Sequence, residues 1–179
     1  MICDRNGAIY RGRKTGMNPY KEEIAERTNP NLVMSLTDAL KGADVFIGVS
    51  TSNVVSEEMV RSMNNDPIIL AMANPIPEIM PEEAKMAGAR IVGTGRMDYP
   101  NQVNNLLCFP GILRGALDSR ATVINDEMKI AAVYAIASMV KPEDLNEDCI
   151  LPNALDKNIA KEVAKAVYNA AHDSGVARS

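Results

Sequence analysis

The chain has 179 residues, 46% of them hydrophobic, enough for one domain with a substantial core. Lys and Arg number 19 against 23 Asp and Glu, for a net charge of −4; outside Arg11, Arg13 and Lys14 the cations are scattered, which argues against a nucleic-acid surface. No apolar run reaches the roughly 18 residues needed to cross a bilayer, and Met1-Ile2-Cys3-Asp4 lacks the pattern of a secretory signal. The composition predicts a cytoplasmic chain without membrane contact. Its three widely spaced cysteines, Cys3, Cys108 and Cys149, read as reduced packing residues, and the single histidine, His172, offers no zinc constellation.

In chain order, Ile2-Cys3 reads as the end of a strand running into an Asp4-Arg5-Asn6-Gly7 turn. Asn18 caps a helix that opens on Pro19 and runs to about Arg27. Ser35, with Asp38 three residues on, starts a short helix that Gly42 closes. Residues 45–49 form a continuous apolar run of β-branched and aromatic character, the signature of a strand buried on both faces of a parallel sheet. Ser56 caps the next helix, with Glu57 and Glu58 placed well against its dipole. A strand over residues 67–72, a helix from Pro81 to Gly88 and a strand over residues 90–93 follow. Repeated strand, polar loop and helix define an α/β fold with a doubly wound, Rossmann-like parallel sheet, in which ligands gather at the carboxyl ends of strands. After Pro100 the chain is helical: residues 103–117 as one buried helix interrupted near Pro110-Gly111, a second from Asn125-Asp126-Glu127 to about Val140, apolar enough to be deeply packed, and a last one from Asp156 to Gly175, striped by Ile159, Val163, Ala166, Val167 and Ala170.

Two loops carry uncharged amides where packing alone would favour apolar side chains: Ala73-Asn74-Pro75-Ile76-Pro77-Glu78 and Asn101-Gln102-Val103-Asn104-Asn105. An amide can hold a carboxylate or hydroxyl in a buried site at modest desolvation cost. Each polar position also has a plainer reading. Asp4 is either a turn residue or an acceptor for ribose hydroxyls at a strand end; Arg5 is either solvent-exposed or a partner for a 2′-phosphate. Thr51, Ser52 and Thr94 are either helix-entry caps or cofactor-lining groups. Asn74 before Pro75 could organise only its own turn. Arg11, Arg13 and Lys14 read either as a solvated edge or, as the lesser alternative, as phosphate contacts, and Met63, Met72, Met80 and Met86 as core or edge packing. Gly93-Thr94-Gly95 is not a dinucleotide fingerprint, because the third glycine is missing at the required spacing.

These motifs, with Tyr10-Arg11-Gly12-Arg13, Gly42-Ala43-Asp44-Val45-Phe46-Ile47-Gly48-Val49-Ser50, Gly93-Thr94-Gly95-Arg96-Met97-Asp98-Tyr99-Pro100 and Cys108-Phe109-Pro110-Gly111, resemble in order the cofactor-binding domain of the malic enzyme family. The resemblance runs nearly end to end and implies one partial NAD(P)-binding domain over residues 1–179. It implies the oxidative decarboxylation of malate to pyruvate and carbon dioxide, with NAD or NADP and, in the complete enzyme, Mg²⁺ or Mn²⁺. By the resemblance, Asn74, Asn104 and Asn105 lie at the malate carboxylates, and Asp4, Arg5, Thr51, Ser52, Asn74, Thr94 and Asn104 line the cofactor. The family's metal carboxylates, its lysine and tyrosine acid–base pair, the first strand and the glycine-rich turn belong upstream of Met1, so no residue here is assigned to catalysis or metal. An N-terminal malate-binding domain is the expected partner, homo-oligomers are expected, and the chain alone should be inactive. A non-catalytic nucleotide-binding or assembly module, or one subunit of a split enzyme, is the alternative; the Asn-Pro-Ile-Pro-Glu and Gln-Val-Asn-Asn motifs disfavour an amino-acid dehydrogenase.

Overall fold

Val45, Phe46 and Ile47 are residues of high strand propensity, and with Gly48 they form β3 (Val45–Gly48), which pairs in parallel with β4 (Ile68–Ala71), Val45 opposite Ile68 and Gly48 opposite Ala71. With β5 (Ile91–Thr94) they make a three-stranded sheet in the order β3-β4-β5. The computed structural model describes residues 1–178 and divides into two units, the first Met1–Val92 and the second from Gly93 onward.

In the first unit, β1 (Cys3–Asp4) and β2 (Gly7–Ala8) form an antiparallel hairpin of their own. The opening strand therefore pairs locally and not within the main sheet as expected, because Asn6-Gly7, with Gly7 at φ +98°, reverses the chain at once. The helices are α1 (Pro19–Arg27), α2 (Leu36–Leu40), α3 (Glu57–Arg61) and α4 (Pro81–Met86). Three start as their caps predict: Asn18, Ser35 and Ser56 accept from the backbone N–H of Lys21, Asp38 and Met59 respectively. Leu40, Phe46, Val60, Ile69, Ile79 and Val92 lie in one core, where each fully buried Ile or Val stabilises the fold by about 1.5–3 kcal/mol.

Burial corrects three expectations. Phe46 and Gly48 face inward on β3, but Val45 is 45% and Ile47 62% exposed; β3 is an end strand of its sheet, and no described element covers that face. Arg13 is not a solvated edge but is buried, for reasons given below. Met63 is buried as expected, whereas Met86 is largely exposed on the last turn of α4.

The second unit is helical: a 3₁₀ turn (Asn105–Leu107), α5 (Phe109–Asp118), α6 (Asp126–Ser138) and α7 (Lys157–Asp173). Pro110 does not interrupt a longer helix; it occupies the first turn of α5, where its missing N–H leaves no bond unmade. Gly111 and Gly115 let α5 approach α7 closely, since a Cβ at Gly115 would come within 2.5 Å of the Ala164 carbonyl oxygen and 2.7 Å of Val167 Cβ. The α7 stripe Ile159, Val163, Val167 and Ala171 is fully buried with Met128 and Ala132 of α6. The rest of α6 departs from the expected deep packing: Ile130, Val133 and Tyr134 are exposed, because α6 meets described neighbours along one side only. Among the described residues no helix is long and apolar enough to cross a membrane.

Candidate functional site

Parallel pairing of β3 and β4 places the loops that follow them at the same end of the sheet. The first carries Ser50, Thr51, Ser52 and Asn53; the second carries Ala73, Asn74 and Pro75. Glu78 joins them. Its Oε1 accepts from the Ser50 backbone N–H at 2.7 Å and the Ser50 hydroxyl at 2.9 Å, and its Oε2 from the Ala73 N–H at 3.0 Å. The backbone adds two bonds: Asn53 N–H to the Pro77 carbonyl at 3.1 Å and Val55 N–H to the Glu78 carbonyl at 3.0 Å. Burial opposes ionisation of Glu78, but the Ala73 and Ser50 N–H groups and the Ser50 hydroxyl outweigh it and hold the carboxyl below its ordinary value.

On this frame Thr51, Ser52 and Asn74 are exposed, and their side chains have no hydrogen-bond partner among the described residues. The loops that carry these three predicted residues are thus joined through Glu78. Ser56, not Thr51 or Ser52, caps the following helix. The Asn74–Pro75 peptide is cis, and the amide of Asn74 extends from the loop instead of bonding across it.

Asp4 and Arg5 lie in the hairpin. The Asp4 Oδ1 accepts from the Asn6 N–H at 2.8 Å and from Arg13 at 2.7 Å, and its Oδ2 from Lys21 at 2.6 Å. Partial burial disfavours the charge, yet the bonds from Lys21, Arg13 and Asn6 prevail and hold the carboxyl well below the usual carboxylate range. Arg13 completes the cluster by donating to the carbonyls of Thr15, Gly7 and Ala8, which is why it is buried. Arg5 is exposed.

Within the second unit, Thr94 is buried; its carbonyl accepts from Val103 N–H at 2.8 Å, and its backbone bridges Gln102. Asn101, at φ +53°, is also buried, its amide tying the Glu147 carbonyl at 2.8 Å and the Ile150 N–H at 2.9 Å. Asn104 caps the 3₁₀ turn by accepting from Leu106 N–H at 2.9 Å. Asn105 is exposed, its amide without a partner among the described residues. The adjacent amides thus divide their work: Asn101 and Asn104 shape the chain, and Asn105 is presented to solvent.

Arg13, Lys21 and Glu78 escaped the sequence reading as contributors. The available signals were an acid enclosed in the apolar run Ile76-Pro77-Glu78-Ile79 and, for Arg13, a cation directly after Gly12 in the segment that follows the hairpin. Among the described residues no group of three or more His, Cys, Asp or Glu side chains is arranged to hold a metal ion, so no metal-ligand set is assigned to this chain.

A parallel sheet flanked by helices, with polar side chains presented at the carboxyl ends of its strands, has the layout of a Rossmann-like cofactor domain. The chain belongs to the family described as malic enzyme, NAD binding domain, which matches residues 1–172. It is 60% identical to the bifunctional malic/malolactic enzyme of Bacillus subtilis over 99% of its own length and 44% of that protein. It is 55% identical to the NAD-dependent malic enzyme of Geobacillus stearothermophilus over 98% of its length and 36% of that protein. The crystal structure of the Entamoeba histolytica malic enzyme superposes with a TM-score of 0.89 at 42% identity, covering 98% of this chain and 37% of that one; the Pyrococcus horikoshii enzyme gives 0.83 at 48% identity, covering 90% and 37%. The chain therefore spans less than half the length of these relatives.

Proposed function

We propose that residues 1–179 act as one cofactor-binding domain of an NAD- or NADP-dependent malic enzyme, taking part in the oxidative decarboxylation of malate to pyruvate. The observation that supports this reading is that the loops bearing exposed, unpartnered Thr51, Ser52 and Asn74 follow the parallel β3 and β4 and are tied to each other by Glu78. The bound nicotinamide would supply the hydride acceptor. This chain's residues bind and orient. Asp4, kept ionised, has about four acceptor positions; Asn6, Arg13 and Lys21 fill three of them and leave one toward a ribose hydroxyl. Exposed Arg5 and the Lys21 ammonium offer positive charge to a 2′-phosphate, should the nucleotide carry one. Thr94 and Asn104 line the cofactor, and Asn74, Asn104 and Asn105 orient the substrate carboxylates through neutral amides. The remaining machinery is assigned to a malate-binding domain contributed by the rest of the enzyme, which assembles as a homo-oligomer in the cytoplasm.

Titration of this chain with NADH, followed by nicotinamide fluorescence, tests the reading. Saturable binding should weaken about five- to tenfold in Asn74→Ala, as expected for one lost hydrogen bond of 1–1.5 kcal/mol. Binding that Asn74→Ala leaves unchanged would overturn it.

A further inference from the structure

We propose that Glu78 is the positioning residue of this nucleotide site: its buried carboxylate ties the loop bearing Thr51 and Ser52 to the loop bearing Asn74, and so sets the spacing at which the three side chains meet a dinucleotide. The proposal rests on the nucleotide-binding reading given above. Glu78 does not itself face the ligand. It is completely buried, and its three partners are all donors drawn from two different loops, Ser50 N–H and hydroxyl on one and Ala73 N–H on the other.

Two observations separate this arrangement from ordinary core packing. First, Glu78 has no cationic partner among the described residues. A buried carboxylate held by neutral donors alone is an expensive way to fill a core that Leu or Met would fill without desolvating a charge. What it provides is an acceptor on both oxygens at once, a property that no apolar residue has and that the amide of Gln has on one side only. Second, β3 is cut away to admit it. A Cβ at Gly48 would come within 2.5 Å of Glu78 Cδ, 2.6 Å of Oε1 and 2.8 Å of Phe46 Cε1, so only glycine at the last residue of β3 lets the carboxylate reach Ser50. Thr51 is the residue after Ser50, and Asn74 the residue after Ala73. Each tether thus ends one residue from a side chain assigned to the ligand.

In Glu78→Gln the side-chain NH₂ must oppose either the Ser50 donors or the Ala73 N–H, and the loop so opposed moves. The test is NADH titration of this chain with Glu78→Gln, Ser50→Ala and, as a control for lost stability alone, Ile69→Val in the core of β4. Glu78→Gln should lose about tenfold or more in NADH affinity. Ile69→Val, though lowered in melting temperature, should bind as the wild type does. Ser50→Ala, which retains the Ser50 and Ala73 N–H bonds, should lose about threefold. Should Glu78→Gln fail to fold, Ser50→Ala decides: weakened binding at an unchanged melting temperature supports the tether, and unchanged binding overturns it. Glu78→Gln binding as tightly as wild type, or Ile69→Val losing affinity in step with its stability, overturns the positioning role alone. Asn74→Ala binding as tightly as wild type overturns the reading beneath it as well.

Discussion

Replacing Arg13 by Met should destabilise the first unit by about 2–4 kcal/mol, somewhat less than the roughly 3–5 kcal/mol for leaving a buried charge wholly unpaired. The magnitude follows from what the guanidinium touches. Its side chain is 4% exposed and lies 2.7 Å from an Asp4 oxygen, and it donates to the Ala8 carbonyl in a buried bond and to those of Gly7 and Thr15 in part-buried ones. Leaving a buried acceptor unpaired costs about 1–3 kcal/mol, so Ala8 alone accounts for a sizeable share, and the part-buried carbonyls add less because water reaches them. Asp4 keeps Lys21 and the Asn6 N–H, which prevents the full penalty of an orphaned buried charge. Met matches the length and fills the volume, so the change reports polar loss more than cavity formation. Arg13→Lys separates charge from shape: a single ammonium cannot serve four acceptors spread around a planar fork, and about 2 kcal/mol or more should still be lost by the same count of missing bonds. Urea denaturation with amide exchange read at Ala8 and Ile9 gives both values. A loss under about 1 kcal/mol for Arg13→Met would mean that the cluster is not a structural unit.

Gly115→Ala should destabilise the second unit by about 1–3 kcal/mol or more, because the new Cβ is driven into the Ala164 carbonyl and Val167; a neutral thermal melt would refute the close α5–α7 contact. Asp4 and Glu78 both have folded-state pKa values below their ordinary ones. Their stabilisation is therefore complete above the unfolded-state pKa, and it is lost as pH falls through the folded one. Melting of the first unit should fall progressively below about pH 4, with a shallower acid slope in Glu78→Gln; equal slopes would contradict the assignment. Asn105→Ala should leave stability within about 0.5 kcal/mol, as its exposed amide holds nothing in the fold. In a complete enzyme the same change should lower kcat/KM by the 1.5–3 kcal/mol that a hydrogen bond to a charged ligand is worth, or about tenfold or more, and unchanged kinetics would remove Asn105 from the substrate site.

What was legible in the chain was what is decided locally. Asn18, Ser35, Ser56, Asn125 and Asp156 each cap the helix expected of them, because a cap needs only its own side chain and an N–H two or three residues on. The parallel strands could be read from their apolar runs. Their environment could not: Val45 and Ile47 have the composition of a strand covered on both faces, but composition does not say which element lies over which face, and here one is open. The same limit applies to α6, where Ile130, Val133 and Tyr134 look like core and are exposed. Arg13 and Glu78 were missed for the converse reason. A buried charge is intelligible only once its acceptors or donors are brought from elsewhere in the chain, and Gly7, Ala8 and Asp4 in one case, Ser50 and Ala73 in the other, are assembled by the fold.

Whether this chain serves as the cofactor-binding part of a malic enzyme is decided by joining it to the complementary N-terminal region of the Bacillus subtilis relative, with which it shares 60% identity over the matched part. The chimaera is then assayed for malate-dependent nicotinamide reduction and pyruvate release with Mn²⁺ and either dinucleotide. Both products should form in equal amounts, at rates reduced about five- to tenfold by Asn74→Ala and about tenfold or more by Asn105→Ala. A folded chimaera that binds neither NAD nor NADP and turns over no malate, while the parent enzyme does so under the same conditions, would contradict that role.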